Sequence, residues 1–419
     1  MIGAAGAAIV ALAWATTASD ETAADPATTT VETTTSSTTS STTPSSTTAV
    51  PTTTQPPQTS TNPSTSTTTT TPETTTSTTE PPSDRPFDGD AFDAVISAET
   101  IGLGDISAGV AVMRNGNVLH TGAFGMEDPF QSIPATVDTR FRIASVSKMF
   151  TAVAIMQLVN EGSIHLEEPF AGQLGLEGPF NDPRVGLVTV RQLMSHMSGF
   201  AVSRNIFFAH GVDTWRQAAN DALGQVLESD PGTAFRYSNT NFCLLGMLLE
   251  KVTGQKFESA IRDRVLQPLG ITAHMAPTFD TRAGDALHAS APGRNYMETL
   301  GPAGGWVSTP LDIAKLASSL RPETPGTHLL DEATVDSMRV PVPVPVDDPP
   351  PLNGWSYGLG LLLYADGSWG HTGTIESTHA VVVNRPDGLT VAVLISGKFP
   401  SNTDDLLPLI DLAVAAASS

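Results

Sequence analysis

The sequence predicts an α+β fold, an antiparallel sheet flanked by helices with an inserted, mostly helical lobe. Three observations predict it. Strand-like segments cluster at the two ends of the folded part, at residues 107–123 and 357–396, and the turns inside each cluster are short enough to make neighbours antiparallel. Helical spacing fills most of the interval between them, so the terminal strands are expected to share one sheet with helices packed on it.

The folded part begins late. Residues 16–83 are almost wholly Thr, Ser, Pro and Ala, a composition that cannot bury a core. Residues 19–84 therefore read as a disordered stalk, open to O-glycosylation in a secreted protein, and residues 85–419 as one large domain. Ahead of the stalk, residues 1–18 read as a signal-like leader, apolar up to Ala13-Trp-Ala15 and then rich in small residues. No Lys or Arg precedes Arg85, so this leader lacks a basic flank: the start lies upstream, or the leader is atypical or uncleaved. The apolar stretch is short for a membrane span, and membrane contact is expected only if the leader stays attached. No cysteine stands near it to carry a lipid anchor. The expectation is a secreted or cell-envelope protein, outside the cytoplasm.

The formal charge of −22 includes seven carboxylates before Arg85, leaving about −15 for the folded part. That balance argues against nucleic acid or an anionic membrane as partner. Cys243 is the sole cysteine and sits in an apolar run, so it reads as a buried core residue and no disulfide can form within the chain.

In chain order, residues 107–111 and 118–123 read as two strands joined by Asn115-Gly116, which supplies the two positive-φ positions of a type I′ turn. Thr189-Val-Arg-Gln192 is a capping box opening a helix, and residues 215–228 have an amphipathic period. Residues 241–252 form a helix stopped by Gly254, and residues 257–266 another, halted by Pro268. Residues 340–345, alternating Val and Pro, and residues 347–351 make a rigid loop. Residues 357–364, 368–374, 378–384 and 389–396 follow as strands, and residues 406–417 close the chain as a helix.

The chemistry starts at Ser145-Val-Ser-Lys148. A serine and a lysine three apart on a helix share a face, so the amine can sit beside the hydroxyl and take its proton once desolvation lowers its pKa. The spacing alone also fits Ser145 as a helix N-cap with a solvated Lys148. Tyr237-Ser-Asn239 places a phenol and an amide at the entry to the next helix, where Tyr237 could relay a proton and Asn239 could hold a substrate amide or tether Lys148; capping and packing are the competing roles. Gly370-His-Thr-Gly-Thr374 lies in a strand pattern, with Gly373 permitting close approach to the backbone. No G-x-S-x-G elbow and no H-E-x-x-H spacing occur, so neither an α/β-hydrolase triad nor a metal site is expected. His196 reads as a buried, hydrogen-bonded loop organiser, and Trp306 and Trp355 as either cleft lining or packing.

The order Ser145-x-x-Lys148, Tyr237-x-Asn239, His371-Thr-Gly373 resembles the serine β-lactamase and penicillin-binding protein superfamily, in the branch of class C β-lactamases, DD-peptidases and related esterases. Leu193-Met-Ser-His-Met-Ser-Gly199, Gly304-Gly-Trp-Val-Ser-Thr-Pro-Leu-Asp312 and Tyr357-Gly-Leu-Gly360 add to the resemblance, which covers residues 90–417. It implies a β-lactamase/transpeptidase-like fold in which Ser145 is the nucleophile, Lys148 and Tyr237 manage protons, and Asn239 orients the substrate. It also implies that the backbone N–H groups of Ser145 and Thr374 form an oxyanion hole, that the strand carrying Gly373 pairs with the substrate, and that His371 and Thr372 face its leaving side or carboxylate. The chain departs from many relatives in carrying His371 where β-lactamases have the lysine of K-T-G, which removes a permanent charge. Tyr237-Ser-Asn239 stands in place of the S-D-N sequence of class A enzymes, whose separate glutamate base has no counterpart.

The expected activity is a D-alanyl-D-alanine carboxypeptidase-like hydrolysis of peptidoglycan peptides through an acyl-enzyme, without cofactor. A related esterase or β-lactamase comes next, and a non-catalytic penicillin-recognising or envelope-binding module is the rival from another class. Expected partners are a small peptide, ester or β-lactam substrate and cell-wall peptidoglycan, with the protein a monomer.

Overall fold

The computed structural model describes residues 86–201, 214–290, 294–342 and 354–419. The leader, the stalk and most of the Val/Pro loop, residues 343–353, lie outside the described residues.

Eleven strands are described: β1 (Ser107–Arg114), β2 (Asn117–Asp128), β3 (Ile133–Pro134), β4 (Phe141–Arg142), β5 (His274–Met275), β6 (Trp306–Ser308), β7 (Trp355–Tyr357), β8 (Leu362–Tyr364), β9 (Trp369–Ile375), β10 (Thr378–Asn384) and β11 (Leu389–Ser396). Eight of them form one sheet in the order β3-β2-β1-β11-β10-β9-β8-β7, and β4, β6 and β5 form a small second sheet. The expected union of the chain's two ends is the central pairing, with β1 antiparallel to β11 from Ser107↔Ser396 to Arg114↔Leu389. Asn115 and Gly116 both take positive φ, 51° and 75°, and turn the β1–β2 hairpin as the sequence predicts.

Each face of the sheet is covered. On one side Phe92 and Ile96 of the Gly89–Glu99 helix and Leu406, Ile410 and Val414 of the Leu406–Ala417 helix pack on Val110, Val112, Val381, Val391 and Val393. On the other side Ala111, Ala380, Val382, Ala392 and Leu394 join the core of the helical lobe. The alternation along β10 and β11 sorts these residues to two faces, and both faces are apolar because both are covered.

Three elements differ from the sequence expectation. The strand expected at residues 357–364 is two short strands, because Gly360 takes φ 77° and its Cα abuts the central helix: a Cβ there would lie 2.5 Å from that of Ala152. The helix expected at residues 215–228 ends earlier, as Trp215–Leu223. Pro268 does not halt the helix that begins at Phe257; the backbone widens into a π turn over Arg262–Leu266, accepts the proline in Gln267–Leu269, and stops at left-handed Gly270. The capping box at Thr189 and Gln192 is formed, and the Leu406–Ala417 helix matches its expected span. Among the described residues no helix is long and apolar enough to cross a membrane, and no His/Cys/Asp/Glu cluster could hold a metal ion.

Candidate active site

Ser145 sits in a tight turn, Ala144–Val146, that feeds the Ser147–Asn160 helix. Of residues 141–156 it alone is not buried. The turn is fixed from several sides. Ala144 is held at φ 45°, a left-handed conformation costly for a residue with a Cβ. Ile143 N–H donates to Trp306 O at 3.1 Å, and Trp306 N–H donates to Ser147 Oγ at 3.2 Å, so β6 braces both sides of the nucleophile candidate.

Lys148 is completely buried one turn further on, which rules out the solvated lysine of the competing reading. Its Nζ donates to Ser145 Oγ at 3.1 Å, Asn239 Oδ1 at 2.8 Å and Ala303 O at 2.8 Å, an acceptor for each hydrogen of the ammonium. Among the described residues no carboxylate pairs with it. Burial without a counter-ion pushes its pKa down to about 7, so neutral amine and ammonium coexist near neutrality.

Tyr237 and Asn239 come from the entry to the Asn239–Thr253 helix. Neither works as a cap: Ser238 occupies the cap position, and its hydroxyl donates to Ala201 O at 2.8 Å instead. The Tyr237 ring passes under Lys148, with Nζ 4.8 Å from its centroid. Burial holds its phenol above the ordinary range, against a smaller opposing pull from its hydrogen bond to the Ser145 side chain. A neutral phenol and a near-neutral amine therefore converge on one hydroxyl.

His196 organises this loop, as the sequence suggests, and does so from beneath Tyr237, ring centroids 4.2 Å apart. Its Nδ1 receives the Ser238 N–H at 3.2 Å and Asn241 Nδ2 at 3.0 Å, while Asn241 Oδ1 accepts from Ser198 Oγ at 2.7 Å. Two donors onto Nδ1 assign the proton to Nε2. Burial first, then the nearby Lys148 and His371, keep its pKa well below the usual histidine range.

The opposite wall is β9. Gly373 leans on the nucleophile's turn so closely that a Cβ would lie 2.3 Å from Ile143 O and 2.8 Å from Ser145 N. The glycine is thus required by the protein's own backbone as well as by any substrate. The Glu376-Ser377 turn closes the β9–β10 hairpin on the pair Ile375↔Thr378, which spends the peptide groups of odd-numbered β9 residues on β10. Even-numbered residues face the other edge, as the bond from Tyr364 N–H to Ser368 O shows. β8 covers that edge only up to Gly370. The Thr372 and Thr374 peptide groups therefore point along an edge free of β8, with the Ser145 N–H alongside.

His371 lies on the Ser145 side of β9, its ring centroid 6.5 Å from that of Tyr237. It is buried, with Nε2 3.0 Å from Tyr357 Oη and Nδ1 2.6 Å from Thr372 O, so Nδ1 carries the proton and the tyrosine donates to Nε2. Burial and, secondarily, Lys148 push its pKa down to about 3. The residue is a neutral brace at the site, without a permanent charge to offer a substrate carboxylate. Thr372 keeps partial exposure and Thr374 is exposed.

Tyr357 stands in the sequence only within the family-like segment Tyr357-Gly-Leu-Gly360, with no site role attached, and the Ala303 carbonyl and the left-handed Ala144 have no local signature. Trp306 is buried and packs between Phe150 and Phe257, whereas Trp355 keeps partial exposure beside Phe235 and Tyr357. Cys243 is buried and free.

A hydroxyl bonded to a buried lysine, a phenol at the same hydroxyl and a strand edge carrying two outward amides, uncovered by any described strand, make an acyl-transfer geometry. Residues 92–415 match the family described as Beta-lactamase. The chain belongs to that family. It is a hydrolase of the serine β-lactamase and penicillin-binding protein superfamily, with the β-lactamase/transpeptidase-like fold. Penicillin-binding protein 4 of Amycolatopsis lactamdurans is 28% identical over 69% of this chain and 80% of its own. The crystal structure of SurE with D-Leu is 29% identical, with a TM-score of 0.63 over 78% of this chain and 74% of that one. A D-stereospecific amidohydrolase from Streptomyces sp. is 25% identical, with a TM-score of 0.61 over 76% of this chain and 97% of that one.

Proposed function

We propose that the protein hydrolyses amide or ester bonds on the carbonyl side of D-configured residues through an acyl-enzyme on Ser145. The observation that carries this reading is the 3.1 Å hydrogen bond between Ser145 Oγ and a lysine with no solvent access and a pKa of about 7. Neutral Lys148 takes the Ser145 proton as Oγ attacks the carbonyl. The N–H groups of Ser145 and Thr374 hold the oxyanion. Tyr237, kept protonated, passes a proton to the leaving group rather than serving as the resting base. Lys148 returns its proton to Tyr237, and the neutral amine then takes a proton from the water that attacks the ester carbonyl and passes it to Ser145 Oγ as the acid leaves.

D-stereochemistry enters from the relatives, one named for D-stereospecific hydrolysis and one crystallised with D-Leu. Peptidoglycan peptides are the natural source of such residues for a domain behind a leader-like segment and a long polar stalk, which supports a secreted or envelope location. A D-alanyl-D-alanine carboxypeptidase-like activity belongs to this class. The enclosed, neutral His371 favours leaving groups without a free carboxylate, and so amides, esters and internal peptide bonds. A side-by-side panel of D-amino acid amides, their L-enantiomers, a D-Ala-D-Ala peptide, a p-nitrophenyl ester and nitrocefin tests the reading. Expected is turnover of D-amide and ester, little of the L-forms, and none in Ser145→Ala. Turnover of nitrocefin alone, or turnover that survives Ser145→Ala, would overturn it.

A further inference from the structure

The side chains of the odd- and even-numbered residues of β9 leave the sheet on opposite faces. Gly373 lies against Ser145, while Thr374 points its side chain to the face covered by the first and last helices. There its Oγ1 is hydrogen-bonded to Oγ1 of Thr403, and Thr403 Oγ1 lies 2.7 Å from Nδ1 of His379, the β10 residue directly opposite Thr374. Thr403 and His379 are 4% and 3% exposed. Thr403 opens the Thr403–Asp405 turn that leads into the C-terminal helix, so the three residues join β9, β10 and the chain's last element.

We propose that His379 is a positioning residue for the oxyanion hole, setting the Thr374 N–H through the relay His379 Nδ1, Thr403 Oγ1, Thr374 Oγ1. This rests on the reading of Thr374 N–H as an oxyanion donor. The donor lies on a strand edge that, among the described residues, no neighbouring strand pins beyond Gly370, so its direction depends on β10 and on what holds its own side chain. Burial pushes the His379 pKa down to about 4, leaving Nδ1 free to accept near neutrality. Thr403 then donates to His379 and accepts from Thr374, a chain with one direction and no spare hydrogen. An amide turned even slightly off line loses more of its hold on the tetrahedral oxyanion than on the ground-state carbonyl, so the loss belongs to kcat rather than KM.

The test compares His379→Phe and Thr403→Val, which break the relay while keeping shape, with His379→Asn and Thr403→Ser, which keep an acceptor or a hydroxyl in the same place. Steady-state hydrolysis of a p-nitrophenyl ester supplies kcat and KM, and a boronic acid that forms a tetrahedral adduct on serine reports oxyanion stabilisation in the resting enzyme. Expected is a loss of roughly tenfold in kcat and a parallel loss of boronate affinity in both breaking variants, with KM little changed and recovery in both conservative ones. Unchanged kcat and boronate affinity in Thr403→Val and His379→Phe, beside an active wild type, would overturn this inference alone. Equal losses in breaking and conservative variants would also overturn it. A wild type that neither turns over ester nor binds boronate would overturn the Ser145 and Thr374 reading beneath it.

Discussion

Lys148 sets the pH dependence of acylation. It has no solvent access and no carboxylate partner among the described residues, and its pKa is about 7. As the base for Ser145 it must be neutral, so kcat/KM should fall about tenfold per pH unit below that value, to about one-hundredth of its plateau by pH 5. His371, at about 3, and His196, well below the ordinary range, are already neutral there and add no limb of their own. The assay is ester hydrolysis at substrate concentrations well below KM, from pH 5 to 9. Asn239→Asp supplies a second arm, because it places a carboxylate where Oδ1 now lies 2.8 Å from Nζ. The acid limb should then move up by about 1–3 pH units. A flat profile from pH 5 to 9, or a limb near 10, would refute the claim that burial makes Lys148 the base. The same burial weakens the fold. The unfolded chain binds the Lys148 proton up to about 10.5 and the folded one only to about 7, so this group's contribution rises as pH increases across that window. The full difference is on the order of 5 kcal/mol, and Lys148→Met should remove that slope from urea midpoints measured between pH 7 and 10.

Other expectations follow from single contacts. Gly373→Ala puts a Cβ 2.3 Å from Ile143 O, so it should part β9 from the Ser145 turn, lowering the thermal midpoint and suppressing acylation together. Ala144→Val forces a β-branched side chain to φ 45° and should cost about 1–3 kcal/mol by urea unfolding, whereas Ala144→Gly should be tolerated. Tyr357→Phe leaves His371 Nε2 buried without its donor and should cost about 1–3 kcal/mol in the same assay.

The parts of this molecule legible in the sequence are those where a local rule and the tertiary fold agree. Asn115-Gly116 names its own turn because both residues tolerate positive φ, and Thr189 with Gln192 names its own helix start. Ser145 and Lys148 were findable because three residues on a helix fix a shared face. What no local rule carries is the partner across space. Tyr357 meets His371 only because β7 and β9 enter one sheet, so nothing local marks the bond that makes the histidine of His371-Thr-Gly373 a neutral brace. Gly360 broke an expected strand because Ala152 of another element lies against it. Pro268 failed to stop a helix because a π turn just before it relieved the conflict. His379 and Thr403 are unremarkable in sequence and acquire meaning only through their contacts beside Thr374, one from across the strand pair and one from the turn before the last helix.

The central claim is that Ser145 is the acylated nucleophile and Lys148 its base. Intact-mass and peptide-mapping analysis after reaction with a fluorescent penicillin tests both at once. One adduct is expected, on the peptide carrying Ser145, formed on the order of a thousandfold more slowly in Lys148→Met and absent in Ser145→Ala. An adduct on any other residue, or labelling undiminished in Ser145→Ala, would contradict it.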